Sequence, residues 1–134
     1  MLDPKLKVAV YMEDHIDSDY GKMGMGVVRY LKNPIVGVVD KTFAGKSMRD
    51  FMNLEREVPI LKNLEAAIEE GAEVLILGIA PSGGRIPESW NSIIVEALEA
   101  GLSIVIPTIN IDLAPFLNNG LVLNDPFQPF FSLF

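Results

Sequence analysis

The chain has 134 residues, of which 49% are apolar, and this length and composition indicate one well-packed globular domain. A net charge of −7 argues against nucleic acid as a partner, because phosphate contacts need a basic face. No stretch reaches the roughly 18 apolar residues of a membrane span, and the absence of cysteine and of an apolar leader favours a cytoplasmic location.

The first part of the chain alternates between strand and helix patterns. Lys5–Met12, rich in β-branched and aromatic residues, predicts the first strand. Tyr20–Leu31 predicts a helix, because its apolar residues recur at helical spacing until Asn33-Pro34 stops it. Ile35–Val39 is apolar throughout and predicts a second strand that is covered on both faces. Ser47 then has the features of a helix N-cap, with Asp50 as the capping-box acid.

The same alternation continues to residue 106. Val58–Leu61 contains a proline and predicts a third strand at a sheet edge. A helix marked by Leu61, Leu64 and Ile68 ends at Gly71, in the position after the C-cap. The remaining predictions are a strand over Glu73–Ile79, a helix from Pro87 with a buried stripe of Trp90, Ile93, Ile94, Ala97 and Leu98 that ends at Gly101, and a strand over Leu102–Ile106.

This order of elements predicts an α/β fold. Strands that alternate with helices at such spacing form right-handed crossovers and a doubly wound, mostly parallel sheet with helices on both faces. We expect five strands in the Rossmann-like order 3-2-1-4-5, formed by residues 1–106. Residues 107–134 form a Phe- and Pro-rich extension, which is predicted to pack on the domain or on a partner chain, so a homo-oligomer stays open.

The segment V-V-D-K-T-F-A-G-K-S, residues 38–47, resembles a phosphate-binding P-loop, except that Asp40 stands where the first glycine is required. A carboxylate there would repel a triphosphate. At the end of the second strand it suits the hydroxyls of a ribose instead. The alternative is that Asp40 is only a turn or cap residue. Gly45-Lys46-Ser47 is then the turn into the helix that Ser47 caps.

Two other loops follow strands at the expected crevice between strands 1 and 4. The first contains G-K-M-G-M-G, residues 21–26, in which Gly24 and Gly26 let the backbone approach a phosphate and Lys22 supplies charge. The second is P-S-G-G-R, in which Pro81, Ser82, Gly83, Gly84 and Arg85 are the candidates. The alternative in both loops is glycine used only for tight packing or turning. All 11 Lys and Arg lie within residues 1–85, so an anion site is expected there.

Catalytic and metal signals are weaker. His15 is the only histidine and has no obvious serine or cysteine partner in the sequence. The acids around it, Glu13, Asp14, Asp17 and Asp19, lack the spacing of a calcium loop, so no metal site is predicted. Whether the chain is an enzyme is left open, and no catalytic residue is assigned.

Several segments resemble one family. The runs Y-G-K-M-G-M-G-V-V-R-Y, I-V-G-V-V-D, A-G-K-S, V-P-I-L-K-N-L-E-A-A-I, L-I-L-G-I-A-P-S-G-G-R-I-P-E-S-W and A-L-E-A-G-L-S-I-V are similar to the N-terminal Rossmann-like domain of the D-glutamate N-acetyltransferase-like (DgcN) family, long described as a domain of unknown function. More distantly, the alternation resembles the CoA-binding domains of acyl-CoA ligases. Members of the family carry a second, C-terminal domain with a true P-loop, for which this sequence has no counterpart.

The resemblance implies a pocket that includes Lys22, Gly26, Asp40, Gly45, Pro81, Gly83 and Gly84. It also implies a small-molecule, nucleotide-type ligand, with CoA, acetyl-CoA or NAD(P) as the cofactor classes. We therefore expect a ligand-binding module related to an N-acyltransferase, which is not catalytic alone. The alternative is a structural or interaction protein with an empty pocket that self-associates through its C-terminal segment.

Overall fold

The computed structural model describes residues 3–79 and 88–106. The predicted loop at Pro81–Arg85, the helix start at Pro87 and the extension over residues 107–134 lie outside these residues. The strands form one five-stranded parallel sheet in the order β3-β2-β1-β4-β5, which confirms the predicted fold class. The strands are β1 (Val8–Tyr11), β2 (Ile35–Val39), β3 (Ile60–Leu61), β4 (Val74–Leu77) and β5 (Ser103–Val105).

Within the described residues, three α-helices connect the strands: α1 (Lys22–Tyr30), α2 (Leu64–Glu69) and α3 (Asn91–Glu99). Short 3-10 turns occupy Asp19–Gly21, Met48–Asp50 and Glu88–Trp90. The helix predicted from Tyr20 therefore begins with a 3-10 turn. Within the described ranges, no helix is long and apolar enough to cross a membrane.

The sheet separates two hydrophobic cores, because successive side chains of a strand point to opposite faces. On one face, Val8 and Val10 of β1 pack with Val27 and Val28 of α1. On the other face, residues of β1, β4 and β5 pack with the buried sides of α2 and α3, namely Ala9, Leu64, Leu75, Ile94, Ala97 and Ile104. Strand β2 is buried at every position except the partly exposed Val36, as predicted from its apolar sequence.

Most local signals act as the sequence predicts. The Ser47–Asp50 capping box forms, although it caps a 3-10 turn. Gly71 and Gly101 follow α2 and α3 with φ of +96° and +86°, which glycine adopts without strain. The third strand is shorter than predicted. Pro59, which has no N–H to donate, forms an isolated antiparallel bridge with Ser47 outside β3.

Candidate functional site

The G-K-S segment after β2 does not form a phosphate-binding loop, because its amides are used within the protein. The N–H of Gly45 donates to the Ile60 carbonyl at 3.0 Å and that of Lys46 to Phe43 at 3.0 Å. The N–H of Ser47 donates to Asp50, and that of Met48 donates to the Val58 carbonyl. A P-loop needs such N–H groups free to surround phosphate oxygens. The segment is instead the turn into the Ser47-capped helical turn.

Asp40, which follows β2 directly, is fully buried. Its Oδ1 accepts the Asp14 N–H at 2.9 Å, and its Oδ2 accepts the Phe43 N–H at 3.1 Å. These contacts are those of a turn and cap residue, the alternative to ribose binding. Ribose binding by Asp40 stays a prediction, and it would require the surrounding loops to open.

Hydrogen bonds accepted by carboxylates connect the loop after β1 to the loop after β2. Both oxygens of Glu13 lie near the Lys41 N–H, at 3.2 and 3.3 Å. Asp14 Oδ1 accepts from the Thr42 hydroxyl at 3.2 Å, and Asp14 has a left-handed φ of 68°. Oxygens of Glu13, Asp14 and Asp40 lie within 4.8 Å of one another. Two acids of the loop after β1, Glu13 and Asp14, therefore form a cluster with Asp40 that joins the two loops.

The glycine-rich start of α1 packs directly against the end of β4. The Gly24 N–H donates to the Gly78 carbonyl at 3.0 Å. A Cβ on Gly24 would lie 2.8 Å from that carbonyl oxygen and 2.6 Å from Met12 Sδ. At Gly24 the structure shows the packing alternative, because the helix backbone lies directly against the end of β4. Gly26 lies in the second turn of α1, and Lys22 pairs with Asp19 at 3.8 Å on the surface.

His15 has a serine neighbour that the sequence did not indicate. Its Nδ1 lies 2.8 Å from Ser18 Oγ, and its ring contacts Tyr20 edge-on. The prediction that His15 lacks a serine partner is wrong. Ser18 Oγ, however, also accepts the Tyr20 N–H and caps the 3-10 turn that precedes α1. Within the described residues no carboxylate contacts the imidazole, so the pair lacks the third group of a catalytic triad.

A cleft of about 240 Å³ lies over the carboxyl ends of β1, β2 and β3, against the first turns of α3. Its apolar lining comes from Val39, Leu64 and Ile93, and its polar lining from Tyr11, Glu13, Lys41, Lys62, Asn63, Ser92 and Glu96. The sequence predicted a ligand at the carboxyl ends of strands, but none of these residues was a predicted ligand contact. The position of the two lysines in the sequence could have indicated them. Lys62 directly follows the predicted end of the third strand, and Lys41 directly follows Asp40 at the end of the second strand.

The environment of the cleft raises the pKa of two of its lining groups, Glu13 and Tyr11. Burial raises the pKa of Glu13 above its ordinary value, and the carboxylates of Asp40 and Asp14 add to this shift, whereas the Lys41 N–H and the positive charge of the Lys41 side chain oppose it. Burial, and then the charges of Glu13, Asp14 and Asp40, raise the pKa of Tyr11 to about 12. The Tyr11 ring packs edge-on against Trp90, with centroids 6.2 Å apart.

The raised pKa of Tyr11 predicts a loss of stability at high pH. The folded protein holds this proton more tightly than the unfolded chain, so the stabilisation is complete below pH 10.0 and is lost as the pH rises towards 12. We expect phenolate absorbance to show a step near pH 12 that Tyr11→Phe removes. The exposed Tyr20 serves as the control, since Tyr20→Phe should leave that step in place. A step that persists in Tyr11→Phe would contradict the assignment.

The doubly wound parallel sheet, with helices on both faces and a cleft at the carboxyl ends of its strands, defines a Rossmann-like domain. Residues 41–106 match the family described as "Domain of unknown function (DUF1611_N) Rossmann-like domain". A DUF1611 family protein from Anabaena variabilis has a similar crystal structure, with 39% identity and a TM-score of 0.76 over 89% of this chain. The resemblance predicted from the sequence is therefore confirmed.

Other similarities are narrower. A 41-residue segment is 42% identical to a D-glutamate N-acetyltransferase from Tritonibacter scottomollicae, covering 31% of this chain and 12% of that protein. Aspartate semialdehyde dehydrogenase II from Vibrio cholerae has a TM-score of 0.55 over 90% of this chain and 42% of its own, but only 16% identity, so it shows the fold alone. The chain covers 36% of the Anabaena protein, about a third of its length.

Proposed function

We propose that this chain is a binding module for a nucleotide-type ligand, with CoA, acetyl-CoA or NAD(P) as the ligand classes. It is related to an N-acyltransferase and is not catalytic by itself. The observation that carries the proposal is the cleft over the carboxyl ends of β1, β2 and β3. In open parallel sheets, ligands bind outside these ends, and the polar and charged side chains that line this cleft can fix the orientation of a ligand.

The contacts of the neighbouring loops support this position for the ligand. The amides after β2 are engaged within the protein, which argues against a triphosphate at that loop. The start of α1 is closed by Gly24 against Gly78. Within the described residues, the cleft on the α2 and α3 side, which the sequence did not indicate, combines open volume with two lysines. The relation to a D-glutamate N-acetyltransferase supports CoA or acetyl-CoA among the ligand classes.

A thermal-shift panel of CoA, acetyl-CoA, NAD, NADP and ATP at millimolar concentration tests the proposal. A ligand at roughly ten times its Kd adds about 1.4 kcal/mol to the free energy of unfolding, which raises Tm by several degrees. We expect such a shift with at least one CoA or NAD(P) compound. A panel in which no compound raises Tm would reject the proposal.

Two substitutions on α3 test whether the cleft is the site. Ser92→Trp places a large ring at an exposed position that lines the cleft, and it is expected to abolish the shift. Val95→Trp is the matched control, because Val95 is 41% exposed on the same helix and does not line the cleft. If Ser92→Trp retained the full shift, the ligand would bind elsewhere.

A further inference from the structure

We propose that the cleft selects nucleotides whose adenosine ribose carries a phosphate, as in CoA and NADP, over nucleotides whose ribose hydroxyls are free. This inference rests on the proposed function, because it concerns how the same cleft distinguishes among the proposed ligands. It separates the ligand classes by one chemical group, a 2′- or 3′-phosphate on the ribose.

Recognition of a free ribose needs an accessible carboxylate at the end of the second strand, which accepts hydrogen bonds from the hydroxyls. Asp40 occupies that position but is fully buried. Its two oxygens already accept the N–H groups of Asp14 and Phe43. The Asp40 carboxylate, which would favour an unmodified ribose, therefore points into the protein interior and not into the cleft.

Two lysines line the cleft beside this buried acid. Lys41 directly follows Asp40, Lys62 directly follows β3, and both are exposed and line the cleft. In the part of the chain that the structure describes, neither lysine side chain forms an ion pair. In Rossmann-type sites a cation beside the strand-2 acid accommodates a phosphate on the ribose, and a lysine ammonium is a suitable point charge for it.

The acids in the cleft limit how much negative charge it accepts. Glu96 on α3 and Glu13 after β1 both line the cleft. The Glu13 carboxylate also accepts the Lys41 N–H and so fixes the backbone at Lys41. These carboxylates disfavour a run of phosphates. They are compatible with one phosphate between Lys41 and Lys62. The volume of about 240 Å³ lies below the roughly 300–1,000 Å³ of sites that enclose a whole small ligand, so the cleft contacts one end of the ligand and leaves the rest outside.

Matched ligand pairs test the inference by calorimetric titration of the full chain. The pairs are CoA with 3′-dephospho-CoA, and NADP with NAD, so that each pair differs only in the ribose phosphate. In at least one pair we expect the phosphorylated member to bind about tenfold more tightly or better. The pair that shows the difference identifies the source of the phosphate.

Lysine variants assign the difference to the cleft. The double variant Lys41→Ala/Lys62→Ala should remove the difference within the pair, whereas Lys32→Ala, an exposed lysine outside the cleft, should keep it.

Equal affinities within both pairs would overturn this inference and leave the proposed function standing. Failure of all four compounds to bind would reject both. A difference lost in Lys22→Ala but kept in the double variant would overturn the inference by placing the phosphate at α1.

Discussion

Replacing Asp40 with alanine is expected to lower the free energy of unfolding by about 3 kcal/mol, because it removes two hydrogen bonds to a carboxylate, each worth roughly 1.5 kcal/mol or more. The substitution leaves the N–H groups of Asp14 and Phe43 without their acceptors. Domains of this kind are stabilised by only about 5–15 kcal/mol in total, so the loss is large. It should also loosen the two loops that line the proposed ligand site.

Urea unfolding measures the loss, and amide hydrogen exchange locates it. Protection of the Asp14 and Phe43 amides should fall more than that of the β1 amides. Asp40→Asn keeps one acceptor oxygen and is expected to lose less than Asp40→Ala. Asp17→Ala removes an exposed acid of the loop after β1 and should leave unfolding unchanged. Wild-type stability in Asp40→Ala would show that these bonds contribute nothing.

Replacing Arg56 with methionine is expected to cost about 2 kcal/mol, in line with the net value of hydrogen bonds from a charged donor. The Arg56 guanidinium donates to the carbonyls of Val28 at 2.8 Å, Leu31 at 2.6 Å and Asn33 at 3.0 Å. The carbonyls of a last helical turn have no partner within the helix, and the helix dipole places partial negative charge there. Arg56, which lies on the loop before β3, therefore caps the C-terminal end of α1.

Methionine keeps the aliphatic part of the side chain, so Arg56→Met isolates the loss of the guanidinium. Burial lowers the pKa of Arg56 below its ordinary value, and this desolvation offsets part of the gain from the bonds. Arg56→Lys should rescue little, because an ammonium cannot reproduce the planar fork that contacts several carbonyls. Arg29→Met, which removes an exposed arginine of α1, is the control in the same urea titration. Equal losses in both variants would assign the effect to net charge.

The sequence predicted a ligand at the carboxyl ends of the strands, between strands 1 and 4, whereas the cleft lies over β1, β2 and β3 and is lined by none of the predicted residues. The rule that ligands bind at the carboxyl ends of parallel strands led to the loops after β1, β2 and β4, and the cleft lies beside the first two. The choice between Asp40 as a ligand group and as a turn residue depended on which way its carboxylate points. That direction depends on the Asp14 N–H, 26 residues earlier in the chain. No local pattern encodes such a contact.

The sequence by itself determined the strands, their order and most of the capping, because these depend on hydrophobic period, on glycine at left-handed positions and on the handedness of crossovers. Only the tertiary structure decided that Gly24 packs on Gly78, that Arg56 closes α1 and that Lys41 and Lys62 line one cleft. These outcomes come from side chains and backbone groups that are far apart in sequence. They are fixed by burial and by the need of each buried polar group for a partner.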